Sequence, residues 1–116
     1  FGWMSPEYGE AAARMDRALG RLESIIDLAD PATLVIALAD HGGGGATFKH
    51  HDSAHPLDTT IPVMLAGGAV VPGELGAGVC LTDVPATILW ALGLARPESY
   101  VGRPLLHAFA ALPMAA

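Results

Sequence analysis

Seven consecutive uncharged residues, Thr33-Leu34-Val35-Ile36-Ala37-Leu38-Ala39, run directly into Asp40-His41 and then into the four glycines Gly42 to Gly45. β-Branched and aliphatic side chains dominate the run, which predicts a strand buried on both faces, the kind found in parallel sheets. In an open α/β sheet, ligands bind in the crevice beyond the carboxyl ends of the strands. The sequence thus delivers a carboxylate and an imidazole to a position where chemistry is expected. Adjacent side chains on an extended strand point to opposite faces, so Asp40 and His41 meet only if the backbone turns there. The glycines permit that turn.

From Gly42 to Thr60 there are nineteen residues with neither helical nor strand periodicity. That exceeds the ~12–15 residues beyond which a structureless loop in a compact domain is usually functional or disordered. This loop carries His50, His51, Asp52, His55 and Asp58, donor types suited to a borderline cation such as zinc. An isolated Asp-His-Gly reads best as a solvent-facing strand terminus; the histidine-bearing loop behind it moves the reading to metal binding. The glycines at 42–49 and 67–78 match neither GxGxxG nor GxxxxGK[ST], which excludes both kinds of nucleotide loop.

The remaining chain reads as scaffold. Ser5-Pro6 is an N-cap followed by proline at the first helical position. Met15, Leu19, Leu22 and Ile26 then form one stripe of an amphipathic helix over about 6–28, stopped by Asp30-Pro31. Ile61 to Ala66 predicts a second short buried strand ended by Gly67-Gly68, and Val70-Val71-Pro72-Gly73 a turn. Thr82-Asp83 is expected to cap a helix carrying Val84, Ile88 and Leu92 on one face and closed by Gly93. Pro104 opens a last short helix to about Ala111, with His107 in a surface or packing role. Trp90 is assigned to core or interface, and Cys80 to a buried apolar position.

Composition supports a segment of something larger. Residues 1–116 suffice for one domain, and 52% hydrophobic against 16% charged residues is more apolar than a small free-standing domain needs. A net charge of −6, with six scattered Lys and Arg, leaves no footprint for nucleic acid or an anionic membrane. No apolar run reaches the ~18–20 residues of a membrane span. One cysteine cannot form an internal disulfide. The chain opens at Phe1 without an initiating Met or a signal-peptide pattern, so it is expected to be cut or processed, and localisation is left open.

The ordered set of Asp-His-Gly-Gly, the histidine loop, Ile61-Pro62, Thr82-Asp83-Val84-Pro85-Ala86-Thr87-Ile88-Leu89 and Gly102-Arg103-Pro104-Leu105 resembles the C-terminal part of the alkaline phosphatase superfamily. Within it the chain looks most like the type I phosphodiesterase and nucleotide pyrophosphatase branch; Gly2-Trp3-Met4-Ser5-Pro6-Glu7-Tyr8 also looks like that branch's approach to the Asp-His strand. The resemblance implies an α/β fold, the C-terminal part of a mostly parallel sheet flanked by helices. It implies two divalent ions, zinc or alternatively manganese, with Asp40 and His41 on one ion and a loop histidine on the other. That role falls to His51, with His55 as the alternative and His50 as a weaker competitor. Nucleophile and remaining ligands are expected upstream, in the rest of the polypeptide.

The expectation is therefore a metal-dependent hydrolase of small phosphate or sulfate esters, of phosphodiesterase or nucleotide pyrophosphatase type, inactive as this chain alone. A sulfatase or a metal-dependent phosphomutase of the same superfamily would share Asp40 and His41. A reading from another class is a non-catalytic α/β module holding one structural metal. Against it, closed structural zinc sites use four protein ligands, often cysteines, and Cys80 is the single one here. A serine hydrolase is disfavoured, since no GxSxG surrounds Ser5, Ser24, Ser53 or Ser99.

Overall fold

The computed structural model describes residues 1–110. Helix α1 covers Pro6–Glu23, followed by strand β1 (Val35–Leu38), a single helical turn α2 (Pro56–Thr59), strand β2 (Val63–Ala66), helix α3 (Asp83–Ala91) and a 3₁₀ turn at Leu106–Ala108. Ser5 caps α1 as its sequence predicts, accepting the Tyr8 N–H at 3.2 Å ahead of Pro6. The helix stops at Glu23, short of residue 28. There the Ser24 N–H bonds Gly20 O, its hydroxyl bonds Arg21 O, and the Ile25 N–H bonds Leu22 O. Two successive isoleucines lose side-chain freedom in a helix, so this tightened turn is not extended.

The sheet corrects the parallel expectation. Among the described residues it has two strands, β1 and β2, and they run antiparallel with Val35 opposite Ala66 and Leu38 opposite Val63. The connection between them has no crossover helix long enough to return the chain in the same direction, so it doubles back. Burial follows the same logic: β1 is half-buried rather than buried on both faces, and Leu38 and Met64 are exposed.

Packing is tightest around α3. Thr87 is fully buried; its hydroxyl donates to Asp83 O at 2.7 Å and accepts the Leu105 N–H at 3.1 Å. Asp83 accepts the Arg103 and Cys80 N–H groups, each at 2.8 Å, which ties the Thr-Asp stretch to Gly-Arg-Pro-Leu. Thr82 itself makes no side-chain cap bond. Gly93 closes the helix in the left-handed region, φ 67°. Val70 pairs with Phe109 in an isolated antiparallel bridge instead of sitting in a turn, and Trp90 packs on Phe109 with ring centroids 4.9 Å apart. Cys80 is exposed, contrary to expectation, because its N–H is drawn to Asp83 at the surface. The predicted final helix shrinks to the 3₁₀ turn, with His107 Nε2 paired with Leu75 O at 2.9 Å; Ala111 lies outside the described residues.

Much apolar surface is left open. The accessible area is 8406 Å², whereas a self-contained protein of this mass exposes about 6,000 Å². The radius of gyration, 16.5 Å, likewise exceeds the ~13 Å of a compact domain of this length. The α1 stripe contributes: Met15, Leu19 and Leu22 are all exposed.

Candidate metal centre

Strand β1 ends two residues before Asp40, and the chain bends at Asp40, so the two side chains escape the alternation of an extended strand. Asp40 Oδ1 accepts the His41 N–H at 3.0 Å, leaving Oδ2 turned toward the imidazole, 3.6 Å from His41 Nε2. His41 Nδ1 lies 2.8 Å from Gly42 O. A carbonyl can only accept, so in the neutral ring the proton sits on Nδ1 and Nε2 carries a free lone pair facing the carboxylate. This is the tautomer a metal-binding histidine adopts, with its other nitrogen donating to a carbonyl or carboxylate.

The donor set fits one divalent ion. Two ligands each about 2.1 Å from a shared ion can be no more than about 4.2 Å apart, and 3.6 Å lies within that reach. Among the described residues, no cluster of three or more His, Cys, Asp or Glu forms a ready-made cage. His51 comes nearest to joining the pair, its ring stacked on His41 with centroids 3.9 Å apart and planes 14° apart. His55 is differently engaged: it caps α2, its Nδ1 accepting the Leu57 N–H at 3.1 Å. His50 and Asp52 are exposed, and His50 holds the loop through its carbonyl, which takes the Gly44 N–H at 3.0 Å.

Asp58 is a loop organiser that the sequence reading grouped with possible ligands. It is only 4% exposed, and both its oxygens are consumed: Oδ1 accepts the Gly45 N–H at 2.8 Å, and Oδ2 accepts the Ser53 N–H and hydroxyl. The Gly42 and Gly43 N–H groups bond the carbonyls of Asp58 and Leu57 at 2.9 and 2.7 Å. All four glycine amides thus point into the protein's own loop, none toward an anion, which agrees with the absence of a nucleotide-loop pattern. The turn α2 was also missed, although a polar residue before Pro56 with Asp58 in the first turn is its signal.

The Ser53 hydroxyl is the main cause holding the Asp58 carboxyl below its ordinary 3.8, with the Gly45 and Ser53 amides adding to it and burial opposing. Asp83 is lowered in the same way by the Arg103 and Cys80 amides. A carboxyl depressed on folding contributes stability above its unfolded value and loses it as pH falls through the folded value. Acid is therefore expected to loosen the loop only below about pH 3.8. Faster exchange of the Gly45 and Ser53 amides at pH 3 than the intrinsic pH trend allows checks this, and no change would contradict it.

Asp40 and His41 open onto a groove of about 1050 Å³ whose far wall is the loop bearing Glu74 and Cys80. No Lys or Arg lines it, while Asp40, Asp58 and Glu74 do.

No protein-family model matches the chain, and no solved structure does. Over 101 residues, 84% of its length, the chain is 36% identical to the 2,3-bisphosphoglycerate-independent phosphoglycerate mutase of Cereibacter sphaeroides, covering 19% of that protein. It is 32% identical over 97 residues to the phosphopentomutase of Proteus mirabilis, 78% of the chain and 21% of that protein. The phosphoglycerate mutase of Synechococcus elongatus matches at 32% over 107 residues, 84% of the chain and 20% of the relative. The matched relatives are phosphomutases of the alkaline phosphatase superfamily. The chain spans about a fifth of the length of these relatives.

That finding corrects the expectation of a phosphoric ester hydrolase of phosphodiesterase or nucleotide pyrophosphatase type, since mutases are isomerases. The reason is chemical. Asp-His-Gly-Gly describes how an ion is held, and the fate of a transferred phosphoryl group is decided by whichever acceptor stands opposite. Among the described residues, no helix is long and apolar enough to cross a membrane.

Proposed function

We propose that this chain is part of a metal-dependent phosphomutase acting on a small phosphate ester, and that it supplies Asp40 and His41 to one divalent ion and His51 to a second. The observation that carries the reading is the lone pair of His41 Nε2, freed by the Nδ1 contact with Gly42 O and set 3.6 Å from Asp40 Oδ2. Two acceptors facing each other at that distance call for a cation between them. The names of the relatives support the reaction class.

His51 is favoured over His55 by hydrogen bonding. With Nδ1 accepting from Leu57, neutral His55 keeps its proton on Nε2 and offers a metal no free lone pair without breaking its helix cap. The stack sets the His51 ring 3.9 Å from His41, a spacing suited to paired ions about 3.5–4 Å apart. Such ions, zinc or manganese, would polarise the phosphate oxygens and offset the negative charge of the entering group. The groove needs that help: its carboxylates and lack of Lys or Arg repel an anionic ester. Asp40 and His41 hold the ion at the groove mouth, and Asp58 keeps the loop rigid behind them.

Elemental analysis and a phosphoryl-shift assay on the same preparation test the proposal, with the rest of the polypeptide present. About two zinc or manganese ions per chain, with isomerisation of a phosphoglycerate or a phosphopentose, are expected. Release of inorganic phosphate without isomer formation, or a metal content unchanged by removing His41 and Asp40, would overturn it.

A further inference from the structure

We infer that Trp3 is a positioning residue for His41, fixing the direction of its Nε2; this rests on the metal-site reading above. Trp3 has no polar contact with the site and precedes His41 by a whole helix and strand, so sequence spacing does not suggest the pairing. The fold brings them together. The Trp3 and His41 ring centroids are 6.2 Å apart, with planes at 73°, an edge-to-face arrangement that aromatic rings favour. A Cβ placed on Gly43 would overlap the Trp3 indole, so the ring lies flush against the turn immediately after His41.

Trp3 is itself anchored. Its backbone N–H donates to Phe48 O at 3.1 Å, and Gly2 is buried beneath the Phe48 ring, whose atoms would overlap a Cβ there. Tyr8 of α1 packs on Trp3 with centroids 5.3 Å apart. Met4 then takes a left-handed backbone, φ 61°, unusual for a residue with a side chain, and the Ser5 N–H closes the turn onto Gly2 O at 3.2 Å. The segment 2–5 is therefore a strap over the glycine run, clamped at both ends.

For His41 the consequence is geometric. Its ring can rotate about the Cβ–Cγ bond, and that rotation would swing Nε2 away from Asp40 and Nδ1 away from Gly42 O. The Trp3 and His51 rings both stand against the imidazole, one steeply inclined to the His41 plane at 73° and the other nearly parallel at 14°, and both obstruct that rotation. An ion-binding nitrogen is thereby aimed before the ion arrives, which lowers the ordering cost of binding.

The test uses cobalt(II) as the probe ion in the whole protein, reading affinity by titration and ligand geometry from the visible absorption bands. Trp3→Ala is expected to weaken cobalt binding about 10–100-fold, the range for lost outer partners of metal-binding histidines, and to shift the bands. Trp3→Phe, which keeps an aromatic edge, should restore both. Gly43→Ala displaces the indole by a different route and should reproduce the Trp3→Ala spectrum, which keeps the test decisive if Trp3→Ala fails to fold. Unshifted bands in both Trp3→Ala and Gly43→Ala overturn the inference, as does a Trp3→Phe protein that binds cobalt as poorly as Trp3→Ala. Parent protein whose cobalt binding ignores Asp40→Ala and His41→Ala would overturn the metal-site reading, and the role of Trp3 with it.

Discussion

His41→Ala is expected to abolish tight binding of one divalent ion while leaving the fold in place. Loss of an outer hydrogen-bond partner alone costs a metal site about 10–100-fold in affinity, so deletion of a direct ligand should exceed 100-fold. The fold should tolerate the change: the imidazole is partly exposed, and its one protein hydrogen bond goes to the adjacent Gly42 carbonyl. His41→Gln is a sharper comparison, since its amide can still reach a carbonyl but lacks an imidazole nitrogen. Calorimetric titration with zinc, alongside thermal unfolding of the metal-free protein, separates the two effects. Equal zinc affinity in parent and variant would sink the assignment; a large loss of metal-free stability would mean that His41 serves packing first.

Asp40 should behave differently from His41. Its carboxylate is largely exposed and bonds only the next residue's amide, so nothing in the fold depends on its charge. On the proposed reading it is the negative partner of the ion, and it lines the groove with Asp58 and Glu74 and no Lys or Arg to balance them. On that reading a metal ion is the counter-charge that this wall lacks, and binding of a phosphate ester would depend on the metal being loaded.

The sequence made the Asp40-His41 pair legible because a short apolar run ending in charge has few structural readings, and the turn that lets the two side chains converge is where the glycines predict it. The strand direction was not legible. A run of aliphatic residues reports burial, and burial here was misjudged because the faces of β1 lack neighbours among the described residues. The role of Asp58 was hidden for a related reason: a carboxylate in a histidine-rich loop has the same composition whether it binds a cation or three of its neighbours' polar hydrogens. Only the distances to Gly45 and Ser53 separate those cases. Trp3 was legible as part of a resembling segment but not as a neighbour of His41, since its partner lies across a helix and a strand.

The same contrast between composition and contact predicts opposite outcomes for two glycines. Gly42→Ala should destabilise the protein by about 1–3 kcal/mol, the usual cost of inserting a carbon into a packed site. The added Cβ would overlap the Leu57 carbonyl oxygen and press on Thr60 O, both backbone atoms that cannot rotate aside. The loop must then move, and with it the Asp58 carbonyl that receives the Gly42 N–H. Metal affinity should fall as well, although no ligand has been altered, because Gly42 O holds the His41 Nδ1 proton. Gly73→Ala meets no atom within 4 Å and its backbone is not left-handed. There the loss of unfolded-state freedom should dominate, stabilising the protein by about 0.4–1 kcal/mol. Denaturant unfolding of both variants decides the matter. If Gly42→Ala proves neutral, the close approach of the loop to Leu57 is wrong, and the rigid support ascribed to Asp58 falls with it.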